Sequence, residues 1–104
     1  MNFLHTCGII HRDLKSLNLL VSKNYDVKIC DFGLSRVVDT RNAMTSNIGT
    51  VAWIAPELFA KKIYTEKADV YSYGIILWEL WTRLMPFHDV ETFSVPVLVS
   101  RGER

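Results

Sequence analysis

The chain has 104 residues, 49% of them hydrophobic and 22% charged, with a formal net charge of +1. This composition belongs to a folded chain and excludes a disordered tail, and the near-zero charge argues against a nucleic acid or other polyanion partner. A chain of this length suits one domain or part of one, able to bury roughly 65% of its unfolded surface.

From the N-terminus, the apolar run Met1 to Ile10 has no basic flank and is cut off by His11, Arg12 and Asp13, so it is not a standard signal peptide. Leu19-Leu20-Val21 and Val27-Lys28-Ile29-Cys30 are short β-type runs around the polar Ser22 to Asp26, which predicts a small hairpin. Asp31 to about Thr50 is polar and rich in Ser, Thr and Asn, a long loop of the kind that is usually functional. Pro56 suits the first turn of a short helix over Glu57 to Lys61. Thr65 caps the strongest helix, Lys67 to Trp81, with Glu66 at its positive end. Its apolar residues occupy every face, which places such a helix, with Trp78 and Trp81, in the middle of a sizeable protein. A membrane is excluded, since the run Val70 to Trp81 is too short to span one and contains Glu79. One hairpin, one loop and a last helix over Glu91 to Ser100 are little to wrap that helix, so part of the protein is expected to lie outside these residues.

Cys7 and Cys30 make no disulfide framework and sit in apolar sequence, as in a reduced cytoplasmic or nuclear protein; Cys30 reads as a small buried hydrophobe. Cys7, His11 and nearby His5 lack the second paired element of a metal site, and His88 reads as a surface loop residue.

The residues that carry chemistry begin at His11-Arg12-Asp13-Leu14-Lys15-Ser16-Leu17-Asn18. In an extended loop Asp13 and Lys15, two apart, project to the same side. A carboxylate that accepts a hydroxyl proton, beside an ammonium that holds a moving phosphoryl group, suits anionic group transfer. Asn18 brings an amide oxygen, a hard ligand suited to Mg²⁺, and Asp31 brings a carboxylate at a strand end before Phe32 and Gly33. Asn18 and Asp31 together are a candidate holder for a metal on a polyphosphate.

His11-Arg12-Asp13…Asn18, Asp31-Phe32-Gly33, Ala55-Pro56-Glu57 and Asp69-Val70-Tyr71-Ser72-Tyr73-Gly74 resemble, in order and spacing, the motifs of eukaryotic protein kinases. The resemblance implies an α+β, mainly α fold: a partial C-terminal lobe with a short β-hairpin, an activation loop and a central hydrophobic helix. It implies ATP and Mg²⁺ as cofactors and a protein substrate. Asp13 is then the catalytic base or orienting carboxylate and Lys15 the γ-phosphate contact. Asn18 and Asp31 are the metal ligands, Leu20 lies under the adenine, and His11 and Phe32 join an apolar spine. Asp69 braces the catalytic loop through backbone hydrogen bonds. Lys15-Ser16 and the run Gly49 to Glu57, with Thr50 beside the catalytic Asp, resemble the serine/threonine class. Trp53 and Tyr71 to Gly74 look most like its tyrosine-kinase-like branch. Arg12 is the residue that pairs with an activation-loop phosphate in many kinases, and Thr40, Thr45 and Ser46 are the candidate acceptors.

The glycine-rich loop, the β-strand Lys and its partner Glu of a working kinase are not among these residues, nor is the Arg that usually pairs with Glu57. Two readings stay open: an active Mg·ATP-dependent kinase of which this chain is a piece, or a short catalytically inactive lobe acting as a binding or competitor module. The 104 residues alone are expected to be marginally stable and to show no phosphotransfer. Radiolabel transfer to a generic protein substrate, abolished by Asp13→Asn, would overturn that expectation.

Overall fold

The computed structural model describes residues 1–31, 48–60 and 65–103. Among them the chain runs through helix α1 (Asn2–Thr6), a 3₁₀ turn (Ser16–Asn18), strands β1 (Leu19–Val21) and β2 (Val27–Ile29), and a 3₁₀ segment (Ile48–Trp53). Helices α2 (Pro56–Phe59) and α3 (Glu66–Thr82), a 3₁₀ turn (Thr92–Ser94) and α4 (Val95–Ser100) follow. The described chain is thus helix-rich with one two-stranded antiparallel sheet.

Each end of α3 is closed by its own residue chemistry. Thr65, in extended conformation, accepts a hydrogen bond from Lys67 N on its side-chain oxygen at 3.3 Å. At the other end Arg83 turns into the left-handed region at φ 59° and its N–H reaches Glu79 O at 2.7 Å. Between these caps the buried residues are Ala68, Asp69, Ser72 and Ile76, a stripe at helical spacing.

Ile76 joins Leu14 and Trp53 in the main apolar cluster, with Met1, Leu19, Ile29, Ala52 and Ile75 packed against it. The cluster therefore brings together the N-terminal loop, the hairpin, the 3₁₀ segment and α3. α2 and α4 pack on each other, with Ala55, Val95 and Val99 buried. Among the described residues no helix is long and apolar enough to cross a membrane.

In the hairpin Leu19 faces Ile29, Leu20 faces Lys28 and Val21 faces Val27. Ser22 knits the turn: its N–H donates to Asp26 O at 2.9 Å, and its Oγ accepts from Asn24 N and Asp26 N.

Several boundaries differ from the sequence reading. The short helix begins at Pro56, whose missing N–H costs nothing in a first turn, and is described to Phe59; Lys61 lies outside the described residues. The loop expected to reach Thr50 gives way to 3₁₀ backbone at Ile48. The expected last helix splits, Thr92–Ser94 being 3₁₀ and only Val95–Ser100 being α, with Pro96 in its first turn. Helix α1 was not anticipated, since five residues are too few to show a period. Cys7 is exposed rather than set in apolar surroundings, and Cys30 is half-buried.

Trp78 and Trp81, expected in the core of a sizeable protein, are 41% and 90% exposed among the described residues. Both lie off the stripe that the described residues cover. This asymmetry can be measured. In urea unfolding of the 104-residue chain, Ile76→Ala is expected to cost about 2–5 kcal/mol, and Trp81→Ala no more than about 0.5 kcal/mol. Equal losses would show that both sides of α3 are covered.

Candidate functional site

The site is organised from α3 outwards. Asp69, 1% exposed, stands in the first turn of that helix and points its carboxylate at the loop before β1. Oδ2 accepts the His11 N–H at 2.8 Å and Oδ1 accepts the Arg12 N–H at 3.0 Å. His5, from α1, donates its Nε2–H to Oδ2 at 2.9 Å. Arg12 has φ 71°, a conformation that costs a side-chain-bearing residue roughly 1–3 kcal/mol unless the surroundings hold it. Its own N–H on Asp69 does the holding.

His11 is fully buried and uses both ring nitrogens. Nδ1 lies 3.2 Å from the Asp13 N–H and must accept, so the proton sits on Nε2, which donates to Cys30 O at 3.0 Å. The imidazole thereby ties the start of the loop to the end of β2. Cys30 N in turn donates to Asn18 O at 2.9 Å, so the loop's end is tied to the same strand.

Held this way, Asp13, Lys15 and Asn18 converge. The Lys15 ammonium lies 3.4 Å from Asp13 Oδ2. Asn18 donates its side-chain N–H to Asp13 O at 2.7 Å and lies 3.3 Å from Asp13 Oδ2. All three are buried, at 8%, 9% and 4% exposure. Because the amide nitrogen of Asn18 is engaged at Asp13, its Oδ1 is the atom turned elsewhere, a hard oxygen. Asp31 follows directly on Cys30, is exposed, and takes φ 66° itself.

The arrangement is a buried carboxylate with a cation beside it and a neutral oxygen ligand next to both. Such a set can take a proton from a hydroxyl and steady an anion at one place. Leu20, expected beneath a base, is 57% exposed on β1. Thr50 lies in the 3₁₀ segment, while Phe32, Gly33, Thr40, Thr45 and Ser46 lie outside the described residues. Among the described residues no group of three or more His, Cys, Asp and Glu side chains forms a metal cluster.

Sequence reasoning missed His5, Ser16 and Glu79 as parts of this region. Ser16 Oγ donates to Glu79 Oε1 at 3.0 Å, and Trp53 Nε1 donates to Glu79 Oε2 at 2.8 Å. The signal was present but weak: Asp69, Ser72, Ile76 and Glu79 are three, four and three apart, one face of a helix.

Comparison with protein families matches residues 1–97 to the protein kinase domain. Among curated proteins, the chain is 49% identical over its whole length to a Dictyostelium discoideum protein named "Probable LIM domain-containing serine/threonine-protein kinase", covering 16% of it. It is 50% identical over its whole length to RGS domain-containing serine/threonine-protein kinase A of the same organism, covering 9% of it. It is 47% identical over its whole length to serine/threonine-protein kinase STY46 of Arabidopsis thaliana, covering 18% of it. The chain thus spans less than a fifth of each of these relatives.

If Asp69 holds the loop, its removal has a defined effect. Asp69→Ala strands the His11 and Arg12 N–H groups, and unfolding stability is expected to fall by roughly 2–5 kcal/mol. A guanidinium midpoint unchanged from wild type would show that the loop keeps its shape without this carboxylate.

Proposed function

Since the chain belongs to the protein kinase family, we propose that it is the C-terminal-lobe part of a serine/threonine kinase that moves the γ-phosphate of ATP to a protein hydroxyl. The observation that carries this reading is the convergence of Asp13, Lys15 and Asn18 in one buried cluster.

In this reading Asp13 accepts the proton of a substrate serine or threonine as the hydroxyl oxygen bonds to the γ-phosphorus. The bond from that phosphorus to the bridging oxygen breaks, and the electron pair leaves with ADP. Lys15 stands beside Asp13 to balance charge on the transferred oxygens. Asn18 Oδ1 and the Asp31 carboxylate are hard oxygen donors that fit Mg²⁺, which would offset the charge of the phosphates. Exposed Leu20 offers the adenine an apolar surface on β1.

The serine/threonine class rests on Lys15-Ser16 and on the names of the relatives. Regulation through Arg12, with Thr40, Thr45 or Ser46 as phosphate acceptor, is part of the same proposal. A full catalytic cycle also needs the glycine-rich loop and its Lys–Glu pair, so the active protein carries these with the present residues.

The test is radiolabelled ATP and a protein substrate, incubated with the protein that carries this chain. Phosphoserine or phosphothreonine is expected, and Asp13→Asn should slow transfer by about 10²- to 10⁴-fold. Label confined to tyrosine would overturn the substrate class. Undiminished transfer by Asp13→Asn would overturn the assignment of the base.

A further inference from the structure

Trp53 borders two spaces. One is a small gap shared with Arg12, Asp13 and Leu14. The other is a hollow of about 250 Å³ shared with Ala52, Pro86, Phe87, Val90 and Val95. Pro86 and Val95 are buried, and Ala52, Phe87 and Val90 half-buried, so its floor is apolar. Met85, His88 and Thr92 complete the lining and are exposed, which puts them at the mouth. One indole therefore separates the loop that bears Asp13 from an apolar space open to solvent.

The wall opposite Trp53 is built on a costly turn. Phe87, a bulky residue, sits at φ 54°, and the Val90 N–H closes the turn on Phe87 O at 3.0 Å. Strain of this kind persists only where the surroundings enforce it, and it gathers at sites that clamp a ligand. At the mouth, His88 Nδ1 lies 3.2 Å from Met85 O. A carbonyl only accepts, so Nδ1 carries the proton and Nε2 of the neutral ring is an acceptor. Asp89 and Glu91, on either side of Val90, are both exposed. From Leu84 to Ser100 the sequence contains no Lys or Arg, so the charges on this segment are all negative.

The size narrows the occupant. Sites that enclose a whole small molecule run to roughly 300–1,000 Å³, whereas an apolar cavity of about 150 Å³ already holds a benzene ring. A space between these suits one large side chain whose backbone stays outside. The negative mouth favours a cation beside that side chain, and His88 Nε2 favours an N–H donor. A polypeptide with an apolar residue next to Lys or Arg brings all three. Because the same indole borders the Asp13 gap, one extended chain can reach both places.

We propose that this hollow seats a large apolar side chain of the protein substrate, away from the hydroxyl that Asp13 receives, with a basic neighbour held by Asp89 and Glu91. This rests on the kinase reading above. Such a contact is the same before and during transfer, so it lowers KM and leaves kcat alone.

The experiment uses the full-length protein and synthetic peptides with one central serine in an alanine and glycine background. A phenylalanine is moved one position at a time through about ten residues on either side, a reach of roughly 33 Å in extended chain, with arginine or glutamate beside it. For each enzyme the quantity read is kcat/KM for the phenylalanine peptide divided by that for the same peptide with alanine there, so any loss of folded enzyme cancels. At one spacing wild type is expected to prefer phenylalanine about ten- to hundredfold, through KM, and arginine over glutamate by about threefold. Thr92→Trp puts an indole into the mouth from an exposed position and should bring the phenylalanine ratio below about twofold. Asp89→Asn combined with Glu91→Gln should keep the phenylalanine preference and erase the preference for arginine.

A wild type with no favoured spacing, or a phenylalanine preference that Thr92→Trp leaves intact, would overturn the proposal. A dimer in sedimentation that Thr92→Trp dissolves, without any phenylalanine preference, would give the hollow to a second copy of the chain and overturn it likewise. An arginine preference that survives loss of both carboxylates would overturn their part in it. A wild type inactive on these peptides and on myelin basic protein would sink the kinase reading and this inference with it, whereas an active wild type indifferent to phenylalanine sinks this inference alone.

Discussion

The Asp69 carboxylate collects the backbone N–H groups of His11 and Arg12 and the ring N–H of His5 within 3.0 Å. Two consecutive backbone donors aimed at one side chain require the chain to turn sharply between them, and Arg12 accordingly sits at φ 71°. Everything downstream in the loop inherits that turn. His11 is set so that its ring bridges Asp13 N and Cys30 O, and the loop then delivers Asp13, Lys15 and Asn18 to a common place. A buried anion with three donors is well satisfied, whereas the same anion without them would be strongly unfavourable. The loop and the helix therefore specify each other.

Helix α3 emerges as a spine whose covered stripe carries three hydrogen-bonding side chains beside an apolar one. On one stripe Asp69 takes the start of the loop, Ser72 the carbonyl of Trp53, and Glu79 both Ser16 and the Trp53 indole. Ile76 lies among them and supplies the apolar contact with Leu14 and Trp53. The remaining faces carry Val70, Leu77, Leu80 and Trp81 into the open among the described residues. A helix can be hydrophobic all round and still make its specific contacts through three polar side chains. Apolar burial is non-directional, while each hydrogen bond constrains a distance and an angle.

The hairpin contributes in a different way. β1 and β2 bury little: Leu20, Val21 and Val27 are more than half exposed. What the pair provides is a rigid link between the loop's end at Asn18 and Asp31, through the bond from Cys30 N to Asn18 O. Sequence separation of a dozen residues is thereby reduced to neighbouring backbone positions.

Read alone, the sequence determined the hairpin, the capped central helix from Thr65 and, through four motifs in order, the family. These follow from local properties: alternation, capping chemistry and fixed spacing within a few residues. It also pointed to Asp69 as a brace, through resemblance and not through any local pattern. Tertiary structure decided the rest. Which face of α3 the described residues cover had no signature in a helix apolar on all sides. The positive φ of Arg12 is held by a partner far along the chain, the Asp69 carboxylate on α3. His5, Ser16 and Glu79 gained their roles only from contacts between residues far apart in sequence. A hydrogen bond between distant residues leaves no periodic trace in either segment, because its geometry exists only once both have been packed against the same helix.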